Sequence, residues 1–299
     1  MNTDVGSSLA LKGRILTFND SPLNYDYWET GCVLIEGGFI TSVGDASFVE
    51  VPDAVRIIDH GEDLILPGFV DGHVHYPQMN VIASFGAKLI DWLNTFTFPE
   101  EAKFSDKSYA SAAAKFFLSE ALRNGYTTSA VFCTVHPQSV EAFFTEAERL
   151  GLRMIAGKVL MDRHAPKSLL DTAQTSYDQS KELIDKWHNK NRALYAITPR
   201  FAPTSTPEQL EVSGALYRES EGVYVQSHVS ENVDEISWVA ELFPQATSYL
   251  DVYNGFDLLG PRTLYGHGVH FSDADIEMVK DTDTSIIHCP TSNLFLGSG

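Results

Sequence analysis

The pattern of apolar and polar positions divides the chain near residue 66. Before that point the period is that of strands. Ala10-Leu11-Lys12-Gly13-Arg14-Ile15-Leu16-Thr17-Phe18 alternates as a half-buried pleated segment does. Cys32-Val33-Leu34-Ile35-Glu36 and Phe39-Ile40-Thr41-Ser42-Val43 flank Gly37-Gly38, a hairpin signal. Val55-Arg56-Ile57-Ile58-Asp59 predicts a further strand. So few strands make a sheet too small to fold alone. Residues 1–66 are therefore expected to form a partial, β-sandwich-like domain that packs on the remainder of the chain or pairs with strands supplied elsewhere.

From Pro67 onward the pattern becomes strand, loop, helix, repeated. Strands are expected at Phe69 to His75, Thr127 to Val135, Arg153 to Met161, Leu194 to Phe201, Val223 to His228, Thr263 to His267 and Ser285 to Cys289. Between them lie a long loop from Tyr76 to Ser105 and helical segments at Tyr109 to Asn124, Ser139 to Leu150, Leu169 to Trp187, Val233 to Leu242 and Asp273 to Lys280. One more helix opens at Ser205-Thr206-Pro207-Glu208, where a capping hydroxyl precedes a proline in the first turn. Seven such units predict an α/β fold, a (β/α)8 TIM-type barrel over residues 67–299 that lacks its last strand. A missing strand would leave two bare parallel edges, which proteins avoid. The barrel is thus expected to be C-terminally incomplete, a piece of a longer chain; an open doubly wound sheet is the alternative.

Chemistry in such barrels sits at the C-terminal ends of the strands. There the chain places His73 and His75, then Arg200 and Phe201, then His228 with Glu231 three residues on, then His267 and His288. His73 and His75 straddle one valine, so on a strand both rings leave the same face. Five of the ten histidines fall at strand ends, whereas His60, His164 and His188 read as solvated side chains. Three imidazoles, His73, His75 and His228, make a neutral donor set suited to Zn²⁺ or Fe²⁺. An open fourth position would hold a water activated by the metal. Glu231 is placed to carry protons between that water and a substrate nitrogen; otherwise it caps the helix that begins near Asn232. His267 is placed to hydrogen-bond the water or the developing charge. Arg200 either pairs with a structural carboxylate or reads a substrate acceptor through its planar fork. With Gln78 and Phe201 it suits a flat, neutral heterocycle better than a phosphate, and no glycine-rich phosphate loop or G-x-S-x-G elbow is present.

Composition narrows the partners. A net charge of −19 argues against a nucleic-acid backbone as ligand. No apolar run is long enough to span a bilayer, and Met1-Asn2-Thr3-Asp4 does not open a signal peptide. Cys32, Cys133 and Cys289 are odd in number and widely spaced, which reads as reduced thiols in a cytoplasmic protein.

Pro67-Gly68-Phe69-Val70-Asp71-Gly72-His73-Val74-His75 resembles the opening motif of the amidohydrolase superfamily of metal-dependent barrel hydrolases. His75-Tyr76-Pro77-Gln78, the run from Asp91 to Pro99, Thr198-Pro199-Arg200-Phe201, Gln226 to Asn232 and His288 to Leu294 resemble its guanine-deaminating branch. The resemblance implies one zinc ion per chain on His73, His75 and His228, with Glu231 as proton shuttle and His267 near the hydrolytic water. It implies that Gln78, Arg200 and the Phe201 backbone read the purine edge, with His75, His228 and Glu231 also against the substrate. The implied reaction is hydrolytic deamination of guanine to xanthine and ammonia at a zinc-bound hydroxide, in a homodimer. It also implies a further ligand, an aspartate at the end of an eighth strand, beyond Gly299. A related amidohydrolase acting on a triazine, a pterin or another aminated or chlorinated ring, or a non-catalytic truncated barrel, are the alternatives.

Overall fold

A computed structural model describes residues 8–21, 23–84 and 89–298; the expectation for Met1 to Asp4 lies outside them. The chain divides into two compact units, Met1–Gly68 and Phe69–Gly299.

In the first unit, β1 (Leu9–Phe18), β2 (Tyr25–Glu36), β3 (Phe39–Asp45) and β4 (Arg56–Ile65) form a four-stranded sheet in the order β3-β2-β1-β4. Strands β2 and β3 pair across Gly37-Gly38, whose φ angles of 57° and 83° are those a tight hairpin needs. β1 runs antiparallel to β2 and parallel to β4. The described residues make one mixed four-stranded sheet here. Its small core is Ala10, Cys32, Leu34 and Val49. β2 begins at Tyr25, well before Cys32, because Tyr25 to Trp28 continue the pairing with Ile15 to Phe18 past a register shift. No residue from Tyr25 to Thr30 is fully buried, so no apolar alternation marks that half of the strand.

The second unit is a parallel barrel. Its strands are β5 (Phe69–His75), β6 (Tyr126–Phe132), β7 (Arg153–Gly157), β8 (Val159–Leu160), β9 (Ala193–Pro199), β10 (Tyr224–Val229), β11 (Thr263–His267) and β12 (Ser285–Ile287). The order is β5-β6-β7-β9-β10-β11-β12, with the two residues of β8 beside β9. The end strands approach each other: a Cβ on Gly72 of β5 would lie 3.0 Å from the side chain of Ile287 in β12. The sheet therefore curls into a near-closed barrel and does not lie open. Among the described residues β5 and β12 form no ladder with each other.

The expected long loop after β5 is largely helical. A 3₁₀ turn (Tyr76–Val81) is followed by α1 (Leu89–Trp92), which passes through a π-helical turn (Leu93–Thr97) into α2 (Phe98–Glu101) and a second 3₁₀ turn (Ala102–Ser105). Leu89, Leu93, Phe98 and Phe104 are all buried. The change of helical pitch breaks their spacing, so the segment shows no steady 3.6-residue period. The outer helices are α3 (Lys107–Arg123), α4 (Pro137–Leu150), α5 (Ala173–Trp187), α6 (Pro207–Glu219), α7 (Val233–Leu242), α8 (Tyr249–Asn254), α9 (Asp273–Thr282) and α10 (Pro290–Leu296). Asp106, Thr172, Thr206, Asn232, Ser248 and Ser272 cap α3 and α5 to α9 with their side chains, answering amides that would otherwise lack partners. Val131, Met154, Ile197, Val225 and Tyr265 pack with Leu118, Phe143 and Leu216 as one core between strands and helices.

Candidate active site

Two strand ends build the centre of the site. His73 and His75 leave β5, and His228 comes from β10. Donor atoms of the three rings lie within 4.8 Å of one another. His75 Nε2 is 3.0 Å from His228 Nε2. His228 Nδ1 donates to the Arg200 carbonyl at 2.6 Å, which leaves its Nε2 with a lone pair aimed at His75. Burial holds all three imidazoles neutral: it lowers His73 to about 3 and puts His75 and His228 well below the ordinary range. Two ring nitrogens facing each other at that distance, in a neutral set of three, fit a divalent metal between them. Zn–N bonds of about 2.0–2.1 Å would span such a separation. Gly266 makes room for this: a Cβ there would meet His73 Cε1 at 2.5 Å.

A second set, His73, His267 and Cys289, also brings donor atoms close. Burial pushes the Cys289 thiol up to about 11, and its Sγ–H donates to the Ile287 carbonyl at 3.3 Å. A protonated thiol is a weak ligand, so the three-imidazole set is the better one.

Glu231 follows β10 and is 3% exposed. Burial pushes its carboxyl up to about 7, against a smaller lowering by the Ser298 hydroxyl and the charge of Arg200. Its Oε2 lies 3.4 Å from His267 Nε2, while its Oε1 is buried and, among the described residues, has no partner in hydrogen-bonding geometry. It does not cap α7. Asn232 does, accepting from the Asp234 amide at 2.9 Å. The reciprocal half of that capping box is Glu235, whose Oε2 accepts from the amides of Glu231 and Asn232 at 3.1 and 3.3 Å. Tyr249 donates to its Oε1 at 2.9 Å. The capping work therefore rests on Glu235, and Glu231 is left facing the cavity.

Arg200 does pair with a carboxylate. It is buried, and Nη1 donates to both oxygens of Glu101 at 2.9 and 2.7 Å, with the guanidinium 5.3 Å over the Phe98 ring. It still lines the cavity, as do Gln78 on the turn after β5 and the buried Phe201, whose backbone bridges to His228. The cavity measures about 830 Å³ and takes its apolar wall from Leu89, Trp92, Leu93 and Leu296. His288 reaches its edge outside the imidazole cluster. His164 and His188, expected to be solvated, are engaged: His164 Nδ1 with the Pro203 carbonyl at 2.7 Å, and His188 Nδ1 as acceptor from the Tyr195 amide at 3.1 Å. Glu101, Glu235 and Asn293 are site residues that the sequence pattern did not reveal. The Asn232-x-x-Glu235 spacing could have signalled one of them; the other two act from distant segments.

Residues 64–299 match the amidohydrolase family. The chain belongs to that family. Among members similar to it, guanine deaminase of Escherichia coli is 49% identical over 273 residues, 91% of this chain and 62% of that protein. The chain thus spans less than two thirds of that relative's length. The solved structure of an E. coli guanine deaminase superposes with a TM-score of 0.94 at 46% identity, over 97% of this chain and 69% of that one. A guanine deaminase from C. acetobutylicum, with guanine bound in its active site, gives 0.88 at 33% identity, over 98% and 70%. Triazine hydrolases at 20% identity share the fold of this amidohydrolase.

Proposed function

We propose that this amidohydrolase converts guanine and water to xanthine and ammonia, with a zinc ion held by His73, His75 and His228. The observation that carries the reading is the buried cluster of three neutral imidazoles beside the buried carboxyl of Glu231. The names of the relatives support the substrate. When bound, zinc supplies a Lewis acid and an activated water. Glu231 then carries a proton from the water side to the purine ring, a transfer for which a carboxyl near neutrality is well matched. His267 hydrogen-bonds the reacting oxygen. Arg200, fixed by Glu101, and Gln78 read the polar edge of the ring, while Phe201, His75 and His228 complete the wall against which it lies. The same kinship supports a homodimer, a cytoplasmic setting and a place in purine breakdown as parts of this reading.

The test is ammonia release from guanine and from melamine by the zinc-loaded protein. Turnover of guanine with melamine inert is expected. Turnover of melamine with guanine inert would move the assignment to a triazine hydrolase.

A further inference from the structure

His267 closes β11 in a left-handed backbone conformation, φ 80°. That conformation is costly for a residue with a side chain and persists only where the surroundings enforce it. They do so here. The next amide, of Gly268, donates to the Val229 carbonyl at 2.9 Å, and the imidazole is buried and stacked 5.4 Å from the His228 ring. One further contact fixes the ring: Nδ1 lies 2.7 Å from the side-chain oxygen of Asn293.

Asn293 is itself held. It is 4% exposed and sits in the middle of α10, its amide donating to the Cys289 carbonyl at 2.9 Å and its carbonyl accepting from the Ser298 amide at 2.8 Å. Pro290 opens that helix, and Gly297, at φ 63°, ends it. An amide oxygen can only accept. An imidazole nitrogen facing it at 2.7 Å must therefore carry the proton, since two lone pairs at that separation would repel.

We propose that Asn293 is a positioning residue that holds His267 in its Nδ1–H tautomer and so presents the Nε2 lone pair to Glu231 and the reacting oxygen. The proposal rests on the deamination reading for its kinetic consequence, though not for the tautomer. In that tautomer Nε2 of His267 accepts a hydrogen bond and does not donate one. Nε2 of His267 lies 3.4 Å from Glu231 Oε2, so its lone pair faces that carboxyl and accepts from it when Glu231 carries a proton. Delivery of a proton to the substrate falls to Glu231, whose second oxygen has no partner in hydrogen-bonding geometry among the described residues, and His267 orients the group, Glu231 or water, that donates to it. Holding the tautomer through a neighbour's oxygen is the same device by which residues behind metal-binding histidines set which nitrogen is free.

The experiment is ¹⁵N–¹H correlation NMR of the zinc-loaded protein labelled in histidine, with His267 assigned by its loss in His267→Gln. The expected result is a protonated Nδ1 and an unprotonated Nε2 in the substrate-free protein; a proton on Nε2 overturns the proposal. No substrate is used, so this result stands or falls apart from the guanine assignment, which fails separately if the wild-type protein releases no ammonia from guanine. A kinetic arm uses Asn293→Leu and Asn293→Asp. The leucine variant should keep its zinc and its KM but lose about 10–100-fold in kcat, and the aspartate variant, which still accepts from Nδ1, should recover most of that loss. Equal kcat in the leucine variant and the wild type, or a loss in both variants with zinc gone, would contradict a tautomer-setting role.

Discussion

At the level of single residues, the proposed reading assigns proton transfer to Glu231, which lies outside the set of three imidazoles. Glu231→Gln removes the transferable proton while keeping size and hydrogen-bonding capacity. We expect zinc content at the wild-type level and kcat for guanine lowered about 10²–10⁴-fold, measured by steady-state kinetics beside metal analysis. Arg200 and Glu101 form a buried pair at 2.7 Å, so cutting one partner strands the other. Glu101→Ala should destabilise the fold by about 3–5 kcal/mol in urea denaturation, the usual cost of an unpaired buried charge. In Glu101→Gln, where a partial anchor remains, KM for guanine should rise more than kcat falls. Unchanged KM in that variant would mean that Arg200 does not read the substrate. His73, His75, His228 and His267 are legible in sequence because each lies at the end of an apolar strand, where a polar side chain needs a reason. Glu101 and Asn293 are not, since their partners lie 99 and 26 residues away and no local spacing connects them.

Among the secondary-structure elements, the turn from β10 into α7 shows how capping by neighbours leaves the Glu231 carboxyl free of that duty. Glu235 ties down the amides that Glu231 would otherwise serve, at the cost of a fully buried acid. Burial, followed by the charge of Glu231, pushes its carboxyl from 4.5 up to about 8. A carboxyl raised in the folded state contributes stability that is full below pH 4.5 and is lost as pH rises through about 8. The thermal midpoint should therefore fall across that window, and Glu235→Gln should flatten the fall; an equally steep profile in the variant would place the titration elsewhere. Gly266→Ala puts a methyl 2.5 Å from the His73 ring, with the backbone of β11 unable to retreat from its ladder. Zinc affinity should drop, read by competition with a chromophoric chelator. β5, β11 and α7 were plain from period and end signals. The segment after β5 was not, because its π turn between Leu93 and Thr97 resets the helical phase and its buried residues recur at no fixed spacing.

Over the whole molecule, the near-closed parallel barrel gathers side chains from β5, β10 and β11 at one mouth, as (β/α) architecture does. The alternation of strands and helices made this readable, and the His-x-His strand pointed to the imidazole cluster within it. The small sheet of the first unit was legible strand by strand, although its exposed residues, among them Phe39, Ile40 and Ile57, alternate only weakly. No helix among the described residues is long and apolar enough to cross a membrane. Two conditions must hold together for this barrel to deaminate guanine: the three imidazoles must hold a metal, and the reaction must need it. Guanine turnover followed through removal of metal by a chelator and add-back of one equivalent of zinc, in the wild type and in His73→Ala, tests both at once. Activity should disappear with the metal and return with zinc in the wild type alone. Turnover that survives full removal of the metal, or returns equally in His73→Ala, would show that the imidazole cluster is not the catalytic metal site.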